Sequence, residues 1–226
     1  MSLLREYIRE VLEAEVKPQV QPESQIFCDM DGVLVDFETA VVAMVNRLLD
    51  GEPLEGSEVS KSYRKKLRKV QNELGADWRV KGRPDLDLKP VRDFMMTAIG
   101  INPGPVFAGM PPHADALSAL WPYLNSTGRV VNILSAPINS RPGATLTSED
   151  GKNMWIEEHL DPQPASVIIA PASQKKQHAV SGDVPNILID DKASTVDAWN
   201  EAGGIAVLHT PKGSSASVKA LQDLGI

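Results

Sequence analysis

Apolar residues along the chain fall into two patterns. Five short runs, QIFC, VVNIL, SVIIA, NILID and GIAVL, begin at Gln25, Val130, Ser166, Asn186 and Gly204. They lack clean alternation, as strands do when both faces of their sheet are covered. Helical periodicity separates the later runs, over Lys152–His159, Gln174–Val180 and Ser194–Ala202. Strands alternating with helices in this way predict an α/β fold built on a doubly wound parallel sheet.

One interval breaks the rhythm. About a hundred residues lie between the first run and the second, far more than a single crossover helix needs. They show helical patterns at Glu38–Leu49, Ser57–Leu74 and Pro90–Ala98, and almost no strand signal. We read residues 37–107 as an inserted helical cap, with residues 24–36 and 108–226 forming the α/β core. Residues 1–23 form a separate N-terminal piece. There Leu3, Leu4, Ile8, Val11 and Leu12 recur at helical spacing ahead of the linker KPQVQPES. Such a helix packs on the domain surface or docks to a partner.

Composition narrows the setting. The net charge of -7 argues against a general nucleic-acid binder, which needs a positive face. Cys28 is the only cysteine, so no intrachain disulfide forms, which fits a reducing compartment. No apolar run reaches the length of a membrane span, and the charged N-terminus lacks the apolar block of a signal peptide. A cytoplasmic protein is the expectation.

The candidate chemistry lies at the ends of the apolar runs. Phe27-Cys28-Asp29-Met30-Asp31-Gly32-Val33 ends a strand in one carboxylate and sets a second two positions later. Residues i and i+2 of extended chain point the same way, so both acids can face one site, in the region where open α/β sheets bind ligands. Gly32 allows a sharp turn. A calcium loop would need further oxygen ligands at alternate positions, where Val33, Leu34 and Val35 stand instead. A second acidic pair, Asp190-Asp191, ends the run NILID. Alone it reads as a helix cap; together with Asp29 and Asp31 it makes a site for a hard cation, and magnesium suits such oxygen ligands best. Ser135 ends the VVNIL strand, where a serine is usually turn chemistry. Lys175-Lys176 reads as a solvated helix start, or as the source of one ammonium that neutralises phosphoryl oxygens.

This ordered set, Asp-x-Asp-Gly-Val, a strand-end serine, a lysine, then Ile-Asp-Asp, resembles the four motifs of the haloacid dehalogenase-like superfamily. The match runs from about Gln25 to His209. The resemblance implies a Rossmann-like core with an inserted small helical cap. It implies Asp29 as nucleophile and Asp31 as general acid and base. Ser135 and Lys175, with Lys176 as alternate, would hold the phosphoryl oxygens. Magnesium would be bound by Asp29, the Asp31 backbone carbonyl and Asp191, with Asp190 supporting them or serving as the alternate ligand. Dehalogenases of the superfamily lack an acid at the position of Asp31, so the expectation is a phosphatase.

Ser135-Ala136-Pro137-Ile138, Lys152-Asn153-Met154-Trp155 and Leu188-Ile189-Asp190-Asp191 look like the 5'(3')-deoxyribonucleotidase family. Ala136 stands where that family has serine, and Ala172-Ser173-Gln174-Lys175 keeps only the lysine of its threonine-arginine-aspartate-lysine stretch. These departures fall on the phosphate and base pocket; the leading small phosphorylated substrate is a (deoxy)nucleoside monophosphate, and the alternative is a sugar phosphate or other metabolite. Phe37, Trp78 and Phe94 are the candidates to stack on a flat group, although aromatics at helical spacing are more often core. Lys61–Lys69 is the only dense basic run. It reads as a solvated face, or as a patch that would admit a polynucleotide end. A phosphomutase would use the same acid pair, and a catalytically idle interaction module would need none of it.

Overall fold

The computed structural model describes residues 18–52, 60–113, 115–141, 144–210 and 213–226. The expected N-terminal helix, and the start of the helical pattern at Ser57, lie outside them.

The apolar runs become the sheet. Strands β1 (Ile26–Cys28), β2 (Val131–Ser135), β3 (Ser166–Ile169), β6 (Ile187–Asp190) and β7 (Ile205–Leu208) lie parallel in the order β3-β2-β1-β6-β7. Ile26 pairs with Val131 on one side and Ile187 on the other, which makes β1 the central strand. β1, β2 and β6 are buried along their whole length, the reason their sequences do not alternate. Side chains still divide between two faces. Ile26, Cys28, Ile133 and Ile189 join the main apolar cluster, whereas Phe27, Leu134 and Leu188 meet Ala179 and Trp199 in a smaller one behind the sheet.

Between β1 and β2 the described residues are helical: α1 (Phe37–Leu49), α2 (Lys61–Leu74), α3 (Arg83–Leu86), α4 (Lys89–Ile99), α5 (Pro103–Ala108), then a π-helical turn (Ala116–Leu120) running into α6 (Trp121–Ser126). Local signals set their starts. The Asp36 carboxylate accepts from Thr39 N and caps α1; the Ser60 hydroxyl accepts from Tyr63 N and caps α2. Proline stands in the first turn of α3, α4, α5 and α6, where no N–H is lost. Tyr63 and Phe94 join α2 to α4 with ring centroids 5.1 Å apart. Val41, Val70, Phe94 and Phe107 belong to the same apolar cluster as Ile26, so the inserted helices share a core with one face of the sheet.

After β2 come α7 (Ser148–His159), α8 (Ala193–Glu201) and α9 (Ser214–Asp223). Thr147 and Asp150 close a reciprocal capping box on α7. The expected helix over Gln174–Val180 is instead a 3₁₀ segment, Ala172–His178, followed by the small antiparallel hairpin β4 (Val180–Ser181) and β5 (Val184–Pro185). The run has no apolar stripe to bury, and its one buried side chain is Lys175, so a short tight helix suffices. The buried indoles of Trp121, Trp155 and Trp199 donate to the carbonyls of Pro162, Met110 and Asn186.

α5 was hidden by its sequence, since Pro103-Gly104-Pro105 reads as a turn. It is held by close approach to α7, where a Cβ on Gly151 would overlap the Gly104 carbonyl. Gly151→Ala is therefore expected to force the two helices apart. It should lower the unfolding free energy by about 1–3 kcal/mol, seen as a lower urea midpoint at an unchanged m-value.

Candidate active site

The order of strands reverses at β1, and its C-terminal end is where ligands bind in sheets of this kind. Asp29 follows β1 directly and its N–H donates to the Ile189 carbonyl on β6, locking the two strand ends side by side. The chain then folds into a tight loop. Leu34 and Val35 N–H groups both return to the Met30 carbonyl, and Met30, Val33, Leu34 and Val35 are fully buried. These apolar anchors leave Asp29, Asp31 and Gly32 facing a cavity of about 870 Å3. Gly32 has φ +79, and a Cβ there would collide with the Asp191 carboxylate, so only glycine fits both the turn and its neighbour.

Asp190, the last residue of β6, is buried, whereas Asp191 is exposed to the cavity. Asp29, Asp190 and Asp191 each bring a carboxylate oxygen within 4.8 Å of the others. Lys175, buried in the 3₁₀ segment, bridges two of them, 2.9 Å from Asp29 Oδ2 and 2.7 Å from Asp190 Oδ2. Asp190 Oδ1 accepts from Lys192 N at 2.9 Å, so both its oxygens are engaged. Asp29 Oδ1 accepts from Met30 N at 2.8 Å. Lys176 is exposed and stands apart from this cluster; the lysine brought to the acids is Lys175.

A second lysine, absent from the sequence-based site, completes the cluster. Lys152 on α7 is fully buried and places Nζ 2.6 Å from Asp31 Oδ2, 2.7 Å from Ser135 Oγ and 2.9 Å from the Ala136 carbonyl. The signal for it was present in the pattern. Ser148, Gly151, Lys152, Trp155 and Ile156 form the buried stripe of α7, and a lysine on such a stripe needs a partner.

Two expectations need correction. Ser135 is fully buried, accepts from Lys152, and is not among the residues lining the cavity; the wall at that point is Ala136. The strand carries its side chain beneath the wall. Phe94 is fully buried between α2 and α4, and Trp78 packs against the main cluster, so neither lines the cavity. Both follow the apolar stripe of the inserted helices rather than a pocket. Phe37 does line it, beside Phe107 at 6.3 Å between ring centroids. The basic run Lys61–Lys69 also lies off the cavity, with Lys66 engaged by Asp93 and Lys69 by Glu73.

The electrostatics follow from crowding. Partial desolvation among the crowded acids, then repulsion from Asp29 and Asp190, pushes the Asp191 carboxyl up to about 6, although the residue faces the open cavity. Burial also raises Asp31 against the pull of Lys152, and raises Asp190, with Asp29 adding to the effect and Lys175 opposing it. Burial alone would lower Lys175, but Asp29 and Asp190 outweigh it and hold the ammonium above its ordinary value. Four carboxylates, Asp29, Asp31, Asp190 and Asp191, meet two ammonium groups, Lys152 and Lys175. Fully ionised, the cluster lacks two positive charges. Its all-oxygen donor set fits a hard divalent cation that would supply them.

No protein-family model and no curated protein sequence matches the chain. Solved structures do. A Had-superfamily hydrolase from Ehrlichia chaffeensis is 14% identical, with a TM-score of 0.50 over 92% of this chain and 100% of its own. An L-2-haloacid dehalogenase is also 14% identical, with a TM-score of 0.51 over 90% and 99%. At that identity the likeness is one of fold: the chain has the Rossmann-like α/β fold of haloacid dehalogenase-like hydrolases. No helix among the described residues is long and apolar enough to cross a membrane.

A cation entering beside Asp191 must displace the proton that this raised carboxyl holds below about pH 6. Calorimetric titration with a divalent cation should therefore give weaker binding at pH 5 than at pH 7, with proton release at the lower pH. Asp191→Asn should remove that proton release and weaken binding at both.

Proposed function

We propose that the protein is a magnesium-dependent phosphomonoesterase with Asp29 as nucleophile and Asp31 as general acid and base. The observation that carries this reading is Asp31. It is an acid two residues beyond Asp29 on the same cavity, with its carboxyl pKa raised and its Oδ1 buried without a hydrogen-bond partner among the described residues. Displacing a halide needs no proton donor, whereas expelling an alcohol does, so this second acid favours phosphate-ester hydrolysis over dehalogenation.

In the first step an Asp29 oxygen attacks phosphorus while the bond from phosphorus to the ester oxygen breaks. Asp31 gives its proton to the departing oxygen, releasing the alcohol. In the second, water attacks the phosphorus of the aspartyl-phosphate and loses a proton to Asp31. The bond to Asp29 breaks, returning the free carboxylate and inorganic phosphate. Lys175, held between Asp29 and Asp190, provides fixed positive charge beside the reacting carboxylate. Asp29, Asp191 and the Asp31 main-chain carbonyl would hold magnesium, which supplies charge to the phosphoryl oxygens when bound. Asp190, with both oxygens engaged, supports Lys175 instead.

The wall of the cavity favours a small polar ester, such as a sugar phosphate, over a nucleotide. A base needs flat apolar faces, and among the described residues lining the cavity Phe37 is the one Phe, Tyr or Trp. Asp36, Glu38, His113, Asp115 and His209 line it with groups suited to hydroxyls. The position of the basic run away from the cavity gives a polynucleotide end no support. A single buried cysteine fits a reducing compartment such as the cytoplasm.

Phosphate release from sugar phosphates, deoxynucleotides and ribonucleotides, with and without magnesium, tests this. We expect metal-dependent turnover with sugar phosphates preferred, and a loss of at least about a thousandfold in Asp29→Asn, the removal of a nucleophile. Preference for nucleotides would return the substrate to the nucleotidase reading. Inertness of folded, metal-loaded protein on the whole panel would favour the idle interaction module.

A further inference from the structure

We propose that Lys152 is a positioning residue for the acid–base step: it grips Asp31 and so fixes which side of that carboxyl meets the cavity. This inference rests on the phosphomonoesterase reading and adds a residue to it.

The backbone beneath Lys152 is fixed from three directions. The capping box of Thr147 and Asp150 sets the start of α7. Ser148 Oγ accepts from Ile138 N at 3.0 Å and donates to Ile138 O at 2.9 Å, tying that start to the chain leaving β2. Gly151 lies against the Gly104 backbone of α5. From this base the Lys152 stem runs inward, and its ammonium ends 4.7 Å from the centre of the Phe107 ring.

An ammonium has three protons, and here each has an acceptor: Asp31 Oδ2, Ser135 Oγ and Ala136 O. Lys152 is fully buried, so it cannot touch a substrate and acts only through what it holds. Swinging the Asp31 carboxylate to another rotamer would strand an unpaired buried ammonium, a costly state. The carboxyl is therefore confined to one orientation at the cavity wall. Oδ1 is buried and has no hydrogen-bond partner among the described residues, whereas 24% of the Asp31 side chain stays exposed. A leaving oxygen or an attacking water therefore meets the carboxyl from its cavity side, in the orientation that Lys152 holds. The arrangement also gives Ser135 a purpose beneath the wall: with the Ala136 carbonyl it fixes the two remaining ammonium directions.

The test compares wild type, Lys152→Met, Asp31→Asn and the double variant, all loaded with magnesium, on an alkyl phosphate and on 2,4-dinitrophenyl phosphate. The alkyl ester needs its leaving oxygen protonated and the dinitrophenyl ester does not. We expect Lys152→Met to lose about a hundredfold in kcat/KM on the alkyl ester and less than about tenfold on the aryl ester, because kcat/KM reports the step that expels the alcohol and excludes the shared hydrolysis of the aspartyl-phosphate. In the Asp31→Asn background, where no acid is left to position and no buried carboxylate is left unpaired, the same change should cost less than about threefold. Equal losses of kcat/KM on both esters, or losses that multiply in the double variant, would overturn the proposal.

A crystal structure of Lys152→Met gives a readout independent of turnover. The Asp31 carboxylate should leave its present orientation while Asp29, Lys175 and Asp190 stay in place; an unmoved Asp31 would equally overturn the inference. Should wild type be inert on both esters, the phosphomonoesterase reading fails, and the crystal structure still decides whether Lys152 orients Asp31.

Discussion

The cluster at the C-terminal edge of the sheet is organised by repulsion between carboxylates that the fold forces together. Asp29 and Asp190 end adjacent strands joined in register, so their proximity is set by backbone hydrogen bonds and cannot be relieved by side-chain movement alone. Lys175 answers that repulsion, with one buried ammonium within 2.9 Å of a carboxylate oxygen on each side. Removing either acid would leave the lysine underpaired, and removing the lysine would leave two buried anions facing each other. The short 3₁₀ segment that delivers Lys175 has no apolar face of its own, and besides this ion pair it is tied inward by His178, whose ring lies 5.8 Å from that of Phe27 and whose carbonyl accepts from Asn186 Nδ2.

A second, parallel arrangement lies on the other side of Asp29. Lys152 reaches Asp31 from α7, just as Lys175 reaches Asp29 and Asp190 from the segment before β6. The two lysines divide three of the acids between them, and among the described residues Asp191 has no lysine in an ion pair with it. Its raised pKa follows from desolvation and from the neighbouring Asp29 and Asp190. A site with two charges fewer than neutrality at its open edge is matched to a divalent ion arriving from the cavity.

Close backbone approach makes this geometry possible. Gly32 lets the loop after β1 turn beneath Asp191, and Gly104 with Gly151 lets α5 meet α7 so that Lys152 points inward. Neither contact is available to a residue with a Cβ. The inserted helices contribute differently: α1 follows the loop after β1 directly, carries Phe37 and Glu38 onto the cavity wall, and shares its apolar face with the sheet. Arg83, at the start of α3, donates its main-chain N–H to Glu38 Oε1 at 2.9 Å, which ties the far wall of the cavity to α1.

Much of this was legible in the chain itself. The five apolar runs predicted each main strand to within a residue at its start, because strands buried on both faces must be continuously apolar. Asp29, Asp31, Asp190 and Asp191 stood out because carboxylates ending such strands are costly unless something binds them. Local sequence could not decide which side chains meet. Lys175 and Lys176 are equivalent neighbours until the 3₁₀ segment turns one inward and the other to solvent. Phe94 and Trp78 carry the same apolar signal whether they face a pocket or a core. Ser135 ends its strand as expected, yet the register of β2 puts its hydroxyl under Lys152. Lys152 itself, a lysine on a buried helical stripe, announced that it needed a partner but not which one. That partner, Asp31, is 121 residues away in sequence, and only the packing of α7 against the end of β1 brings the two together.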